Sequence, residues 1–145
     1  MSNGPIPSNL TFLSSLPTVP AGSKVRFLGC VTNYSVSNAI LSLQHAYPSP
    51  QSSNVVATVD VNLLLESLKR ENTQIGAWVN VIGYLEEVCD DKRLMKDKRR
   101  DAAERAKMIY VKLKAIMLWS AGSLIIGEYE RALEDRLRVQ GGLAS

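Results

Sequence analysis

From Lys24 onward, apolar and polar positions alternate in runs short enough to be strands. KVRFLGCVTNY puts Val25, Phe27 and Val31 on one face with Gly29 between them, and a side-chain period of two marks a half-buried strand. An isolated glycine in such a run predicts a bulge or a tight bend. After a turn around residues 35–38, AILSLQHA sets Ala39, Leu41 and Leu43 against Ser42 and Gln44. YPSPQSSN has the composition of a loop. NVVATVDVN then alternates Val55, Ala57, Val59 and Val61 against Thr58 and Asp60. The period changes in LLLESLKREN. Leu64, Leu65 and Leu68 line one face, Glu66, Lys69, Arg70 and Glu71 the other, which predicts a short helix with Asn62 as its cap.

GAWVNVIGYLEEV predicts a fourth strand. Val79, Val81, Gly83 and Leu85 share one face; Trp78, Asn80, Ile82 and Tyr84 share the other. Neither face is plainly solvent, so the second must be covered by a partner, by nucleic acid or by the chain's own helices. A long fifth strand, MIYVKLKAIMLW, has Ile109, Val111, Leu113, Ala115 and Met117 on its apolar face, with Tyr110, Lys112 and Lys114 opposite. SLIIGEYERALEDRLRVQ reads as a closing helix stopped by Gly141 and Gly142. Ile125, Ile126, Tyr129, Ala132, Leu133 and Leu137 form its apolar stripe, and Glu128, Glu130, Arg131, Glu134, Asp135 and Arg138 its charged far side.

Three strands, a helix, two strands and a terminal helix follow the order of the OB-fold, a five-stranded Greek-key barrel. The expected class is all-β with flanking helices. Residues 1–23, with Pro5, Pro7, Pro17 and Pro20, form an irregular lead-in, in which NLTFLSSL supplies one short helical turn to plug the core. The barrel occupies 24–120 and the helix 121–140.

At 145 residues with 46% hydrophobic content, the chain has the size of a single globular domain. No apolar run approaches the roughly 20 residues that span a bilayer, and the N-terminal MSNGPIPSNL lacks the basic start of a signal peptide. Membrane partners are not expected. Cys30 and Cys89 stand apart, without metal-ligand or disulfide spacing, so no metal or cofactor is expected and a reducing, intracellular compartment fits. Charge is more informative in its distribution. The net charge is +3, yet residues 92–114 alone carry +7, leaving −4 elsewhere.

Two features bear on function. The helix stripe either folds back on the barrel or meets a partner's helix. The basic segment, with Lys92, Arg93, Lys96, Lys98, Arg99 and Arg100, either contacts phosphates or is solvated. Tyr34, Trp78, Tyr84 and Tyr110 supply stacking surfaces of the kind that single-strand-binding barrels use, with Lys112 and Lys114 beside them. For catalysis there is little: one histidine, His45, beside a turn and read as structural, and no GxxxxGK[ST], GxSxG or HExxH. The chain is not expected to be an enzyme.

PAGSKVRFLGCVTNY, GAWVNVIGYLEE, and KAIMLWSAG followed by GEYERALEDRL together resemble the small Ten subunit of the fungal telomere-capping CST complex, over about residues 10–140. The resemblance implies a single OB barrel that pairs with the larger Stn subunit through the C-terminal helices of both. Its partner contacts would be Ile125, Ile126, Tyr129, Leu133 and Leu137, with Arg26 as a further contact. It also implies a nuclear protein at chromosome telomeres. The complex would bind single-stranded telomeric DNA and assist complementary-strand synthesis. On the chain's own charge and aromatic pattern, the nucleic-acid candidates are Lys92, Arg93, Lys96, Lys98, Arg99, Arg100, Tyr110, Lys112 and Lys114. The other readings are the small subunit of a replication protein A-like complex and a free-standing single-strand-binding module.

Overall fold

The alternating runs pair into a closed barrel. A computed structural model describes residues 8–47, 54–90, 108–122 and 124–144 of the chain. The strands are β1 (Asn9–Leu10), β2 (Lys24–Ser35), β3 (Ile40–Gln44), β4 (Val55–Asp60), β5 (Trp78–Asp90) and β6 (Ile109–Ser120), and the helix is α1 (Ile126–Ala144). Neighbours run β2-β3-β4-β6-β5, and β5 pairs back onto β2 to close the ring. β4 and β6 are the one parallel pair within it. This is the expected OB topology, with β1 added in parallel beside β2.

The inward faces are those the alternation predicts. Val25, Phe27, Leu41, Leu43, Ala57, Val59, Val79, Val81, Leu85, Val111 and Leu113 are buried in one cluster. The lead-in helps to seal it: a 3₁₀ turn at Leu13–Thr18 sends Leu13 and Leu16 fully inside. Gly29 proves to be a close approach and not the site of the bulge. A Cβ there would lie 2.9 Å from both Leu13 Cδ1 and Leu43 Cβ, while the register shifts between Val31 and Asn33.

Three expectations change. Residues 62–71 do not form a helix but two 3₁₀ turns, Asn62–Leu64 and Arg70–Asn72. Leu64 and Leu68 still pack against the core while Leu65 is exposed, so a turn satisfies the apolar pattern as well as a helix would. The Asn62 side chain caps nothing at this turn; instead Asp60 Oδ1 accepts the Asn62 backbone N–H at 2.9 Å. On β6 a register shift opposite Ile82 and Gly83 inserts Ile116, so the inward series ends at Ala115. Met117 turns outward and Leu118 packs on the core instead. Finally, α1 starts at Ile126 and continues through Gly141 and Gly142 to Ala144. Glycine lowers helix propensity by about 1 kcal/mol, which weakens a terminal turn without forbidding it.

Candidate functional site

α1 lies across the outer face of the barrel. On β2 that face carries Arg26, Leu28 and Cys30, opposite Ile82, Asn80 and Trp78 of β5. Leu28 points away from the interior yet is fully buried. α1 stands over this face: Tyr129 and Leu133 line a recess with Leu10, and Ile126 and Glu130 line a groove with Cys30, His45 and Trp78. Trp78 is half-buried there, with the His45 ring meeting it edge-on at 5.2 Å.

The stripe is therefore divided between the chain's own barrel and solvent. Leu133 is only 3% exposed, Ile126, Tyr129 and Leu137 are half-buried, and Ile125 is 61% exposed. The Tyr129 hydroxyl is buried with no partner among the described residues, and burial raises its pKa, against a smaller opposing effect of Arg26. Arg26 itself is exposed, its guanidinium 5.2 Å from the Trp119 ring, a cation–π distance. Glu130 and Glu134, assigned by periodicity to the solvent side, instead face the barrel: Glu130 meets His45 at 2.7 Å, and Tyr47 donates its hydroxyl to Glu134.

Beside α1 runs a belt that the alternation missed. Arg26, Ile82 and Met117 stand in one row across β2, β5 and β6, with Trp119 in the next. Met117 is 54% exposed. The bulge at Ile116 puts it there, and no local sequence signal marks that bulge.

The face formed by β4, β5 and β6 gathers the other predicted residues. Tyr110, Lys112 and Lys114 form a ridge along β6, opposite Cys89, Glu87 and Tyr84 on β5 and Val56, Thr58 and Asp60 on β4. Lys112 is tied to Glu87 at 3.1 Å, and that hydrogen bond holds its ammonium pKa above the usual value. A groove of 440 Å³ beside it is lined by Asn38, Ile40, Thr58, Asp60, Glu86 and Lys112, so carboxylates offset the lysines. Lys92, Arg93, Lys96, Lys98, Arg99 and Arg100 lie outside the described residues. The connection that carries them leaves and rejoins the barrel at the paired Asp90 and Ile109, next to Tyr110. Among the described residues, no cluster of three or more His, Cys, Asp or Glu side chains is placed to hold a metal ion, and no helix is long and apolar enough to cross a membrane.

An OB barrel with an extra strand, a docked C-terminal helix and exposed apolar and cationic surfaces belongs to the class of macromolecule-binding OB subunits. A family model described as Ten1, telomere capping, CST complex subunit, matches residues 1–134. The chain belongs to that family. Known structures agree in fold. The S. pombe Stn1–Ten1 complex matches with 24% identity and a TM-score of 0.61, over 93% of this chain and 96% of that one. Ten1 from S. pombe matches with 23% identity and a TM-score of 0.60, over 91% and 99%. Replication protein A of U. maydis, bound to single-stranded DNA, matches with 15% identity and a TM-score of 0.50, over 88% and 87%. No curated protein sequence matches the chain.

Proposed function

We propose that this chain is the non-catalytic small subunit that pairs with an Stn subunit to cap telomeres in the nucleus, helping the complex hold single-stranded telomeric DNA and support complementary-strand synthesis. Membership of the telomere-capping family supports the first part, and the fold shared with the S. pombe Stn1–Ten1 complex supports the pairing. The observation that carries the reading is the apolar surface left open beside a docked helix. Ile125 and Met117 are both more than half exposed, with the half-buried Ile126, Tyr129 and Leu137 and the Arg26–Trp119 pair alongside. In this reading the partner contacts the outward edge of α1 and the belt, while Leu133 supports the surface from beneath. Large apolar groups left in water at this density mark an interaction site.

The contribution to DNA is electrostatic and secondary. Lys112 and Lys114 stand among carboxylates, so phosphate contacts fall chiefly to Lys92, Arg93, Lys96, Lys98, Arg99 and Arg100, with Tyr110 as a stacking surface. The test is co-expression with the N-terminal OB domain of the Stn subunit, read by size-exclusion chromatography with light scattering, followed by titration with telomeric single strand. A 1:1 complex that binds DNA more tightly than this chain alone is expected. A monomer that ignores the partner and grips DNA tightly would make it a free-standing binding module. Assembly with replication protein A subunits instead would make it the small subunit of that trimer.

A further inference from the structure

The proposed partner surface runs along α1, so whatever fixes α1 on the barrel also fixes that surface. Apolar contact is non-directional. Among the described residues of α1, Leu133 is the one fully buried apolar side chain, with Ile126, Tyr129 and Leu137 half-buried beside it, and such contacts hold a helix on a surface without fixing its rotation or register. The directional contacts are polar. Glu130 and Glu134 lie four residues apart on α1, one turn or about 6 Å along the axis. They meet His45 and Tyr47 in the segment leaving β3, where the Tyr47 N–H bonds back to the His45 carbonyl at 2.9 Å and the two ring centroids lie 6.1 Å apart. His45 Nε2 stands 2.7 Å from Glu130 Oε2, and the Tyr47 hydroxyl donates to Glu134. The two spacings match, so both bonds form at one rotation and one register of the helix.

The barrel side of this pair is itself held. His45 is 2% exposed, edge-on to Trp78. The Tyr47 ring lies 4.8 Å from Phe12, and the Tyr47 carbonyl accepts the Ser14 hydroxyl at 2.6 Å. An ionised carboxylate only accepts, so Nε2 carries the proton in this pairing. Hydrogen bonds to a charged acceptor are stronger than neutral ones. Arg138 is the other group facing Glu134, 3.4 Å away across one helical turn on the solvent side.

We propose that His45 and Tyr47 are positioning residues for the partner interface: with Glu130 and Glu134 they form a double latch that sets the rotation and register of α1, pre-organising its outward edge for the partner. This rests on the reading of that edge as the partner surface. A pre-ordered surface binds more tightly because less motion is lost on association.

The test compares the full chain with Tyr47→Phe/Glu130→Leu, which removes both bonds, and with Glu130→Gln, which keeps an acceptor for Nε2. Amide exchange across α1, thermal unfolding and affinity for the Stn OB domain are read together. The double variant is expected to keep the barrel melting transition, lose on the order of tenfold or more of α1 protection, and lose a comparable factor in affinity. Glu130→Gln should stay near wild type in both. Wild-type protection of α1 in the double variant would remove the latch. Faster exchange with unchanged affinity would leave a structural contact and remove the positioning role. If the double variant does not fold, Tyr47→Phe alone carries the same comparison. A wild-type chain that fails to bind the Stn domain would overturn the partner reading, while the exchange data still decide whether the latch exists.

Discussion

Leu133→Ala separates what α1 does for its own chain from what it offers a partner. Leu133 is 3% exposed, yet it stands outside the cluster that fills the barrel. Its loss should therefore fall on helix docking and not on the barrel. Three carbon groups leave a buried site at about 0.8 kcal/mol each, or about 2.4 kcal/mol. That is the low end for a buried leucine, as suits a surface helix able to settle into the space. It corresponds to a loss of roughly 50-fold in the docking equilibrium. Hydrogen exchange should read this as a fall of similar size in α1 protection, while β2, β5 and β6 keep theirs. Ile125→Ala is the counterpart. With its side chain mostly in water, it should change stability by no more than about 0.5 kcal/mol and weaken only the heterodimer. Unchanged α1 protection in Leu133→Ala, or a barrel that melts along with the helix, would refute this division.

Gly83→Ala should be severe, because a Cβ there meets Lys114 O at 2.5 Å and Ala115 Cα at 3.1 Å, both backbone atoms that cannot rotate away. The expected cost is on the order of 1–3 kcal/mol, seen as a lower Tm, whereas Gly127→Ala in α1 meets nothing within 4 Å and should stabilise slightly; equal melting of the two would sink the close-approach argument. Tyr47 has its phenol pKa raised above the ordinary 10.0, first by the hydrogen bond to Glu134 and then by burial, and Tyr129 is raised by burial. A raised folded value means that these groups stabilise the fold fully below pH 10.0 and lose that contribution as pH climbs through the folded value. Phenolate absorbance should show at least two late steps, one of them absent in Tyr47→Phe. Neutralising Lys92, Arg93, Lys96, Lys98, Arg99 and Arg100 should flatten the dependence of the complex's DNA affinity on salt, since each released counterion contributes to that slope; an unchanged slope would leave the segment a solvated one.

The barrel was legible because burial on one face imposes period two, and Val25, Phe27, Leu41, Leu43, Val79 and Val81 obey it without interruption. What local pattern did not reveal falls into two physical kinds. Met117 was misplaced by a bulge at Ile116, a one-residue insertion that inverts every later side chain and leaves no mark in hydrophobicity. Glu130 and Glu134 were placed in water because charge usually marks the solvent side of a helix. Their partners, His45 and Tyr47, lie 85 and 87 residues away. No window along the chain can contain such a pair. The 62–71 segment failed for a third reason: Leu64 and Leu68 suit a helix and a pair of turns equally well.

Apart from the 62–71 segment, these departures share a location that bears on function. The bulge, the latch and the Arg26–Trp119 pair all belong to the outer surface over β2, β5 and β6, whereas the interior followed the pattern. Inside the barrel, one requirement, burial, decides each residue. On that outer surface several compete: Leu28 and Asn80 must be covered, α1 must be held by directional bonds, and Met117 and Ile125 remain open. A side chain there answers to contacts made far along the chain and, in the proposed complex, to contacts on another chain. The same argument separates this surface from the β6 ridge, where Lys112 and Lys114 kept the simple alternation because that face is built from strands alone. The outer surface over β2, β5 and β6, whose side chains answer to distant contacts, is thus the side to which assembly is assigned. The β6 ridge, facing a second register shift between Leu85 and Glu87 of β5, carries the weaker, electrostatic role.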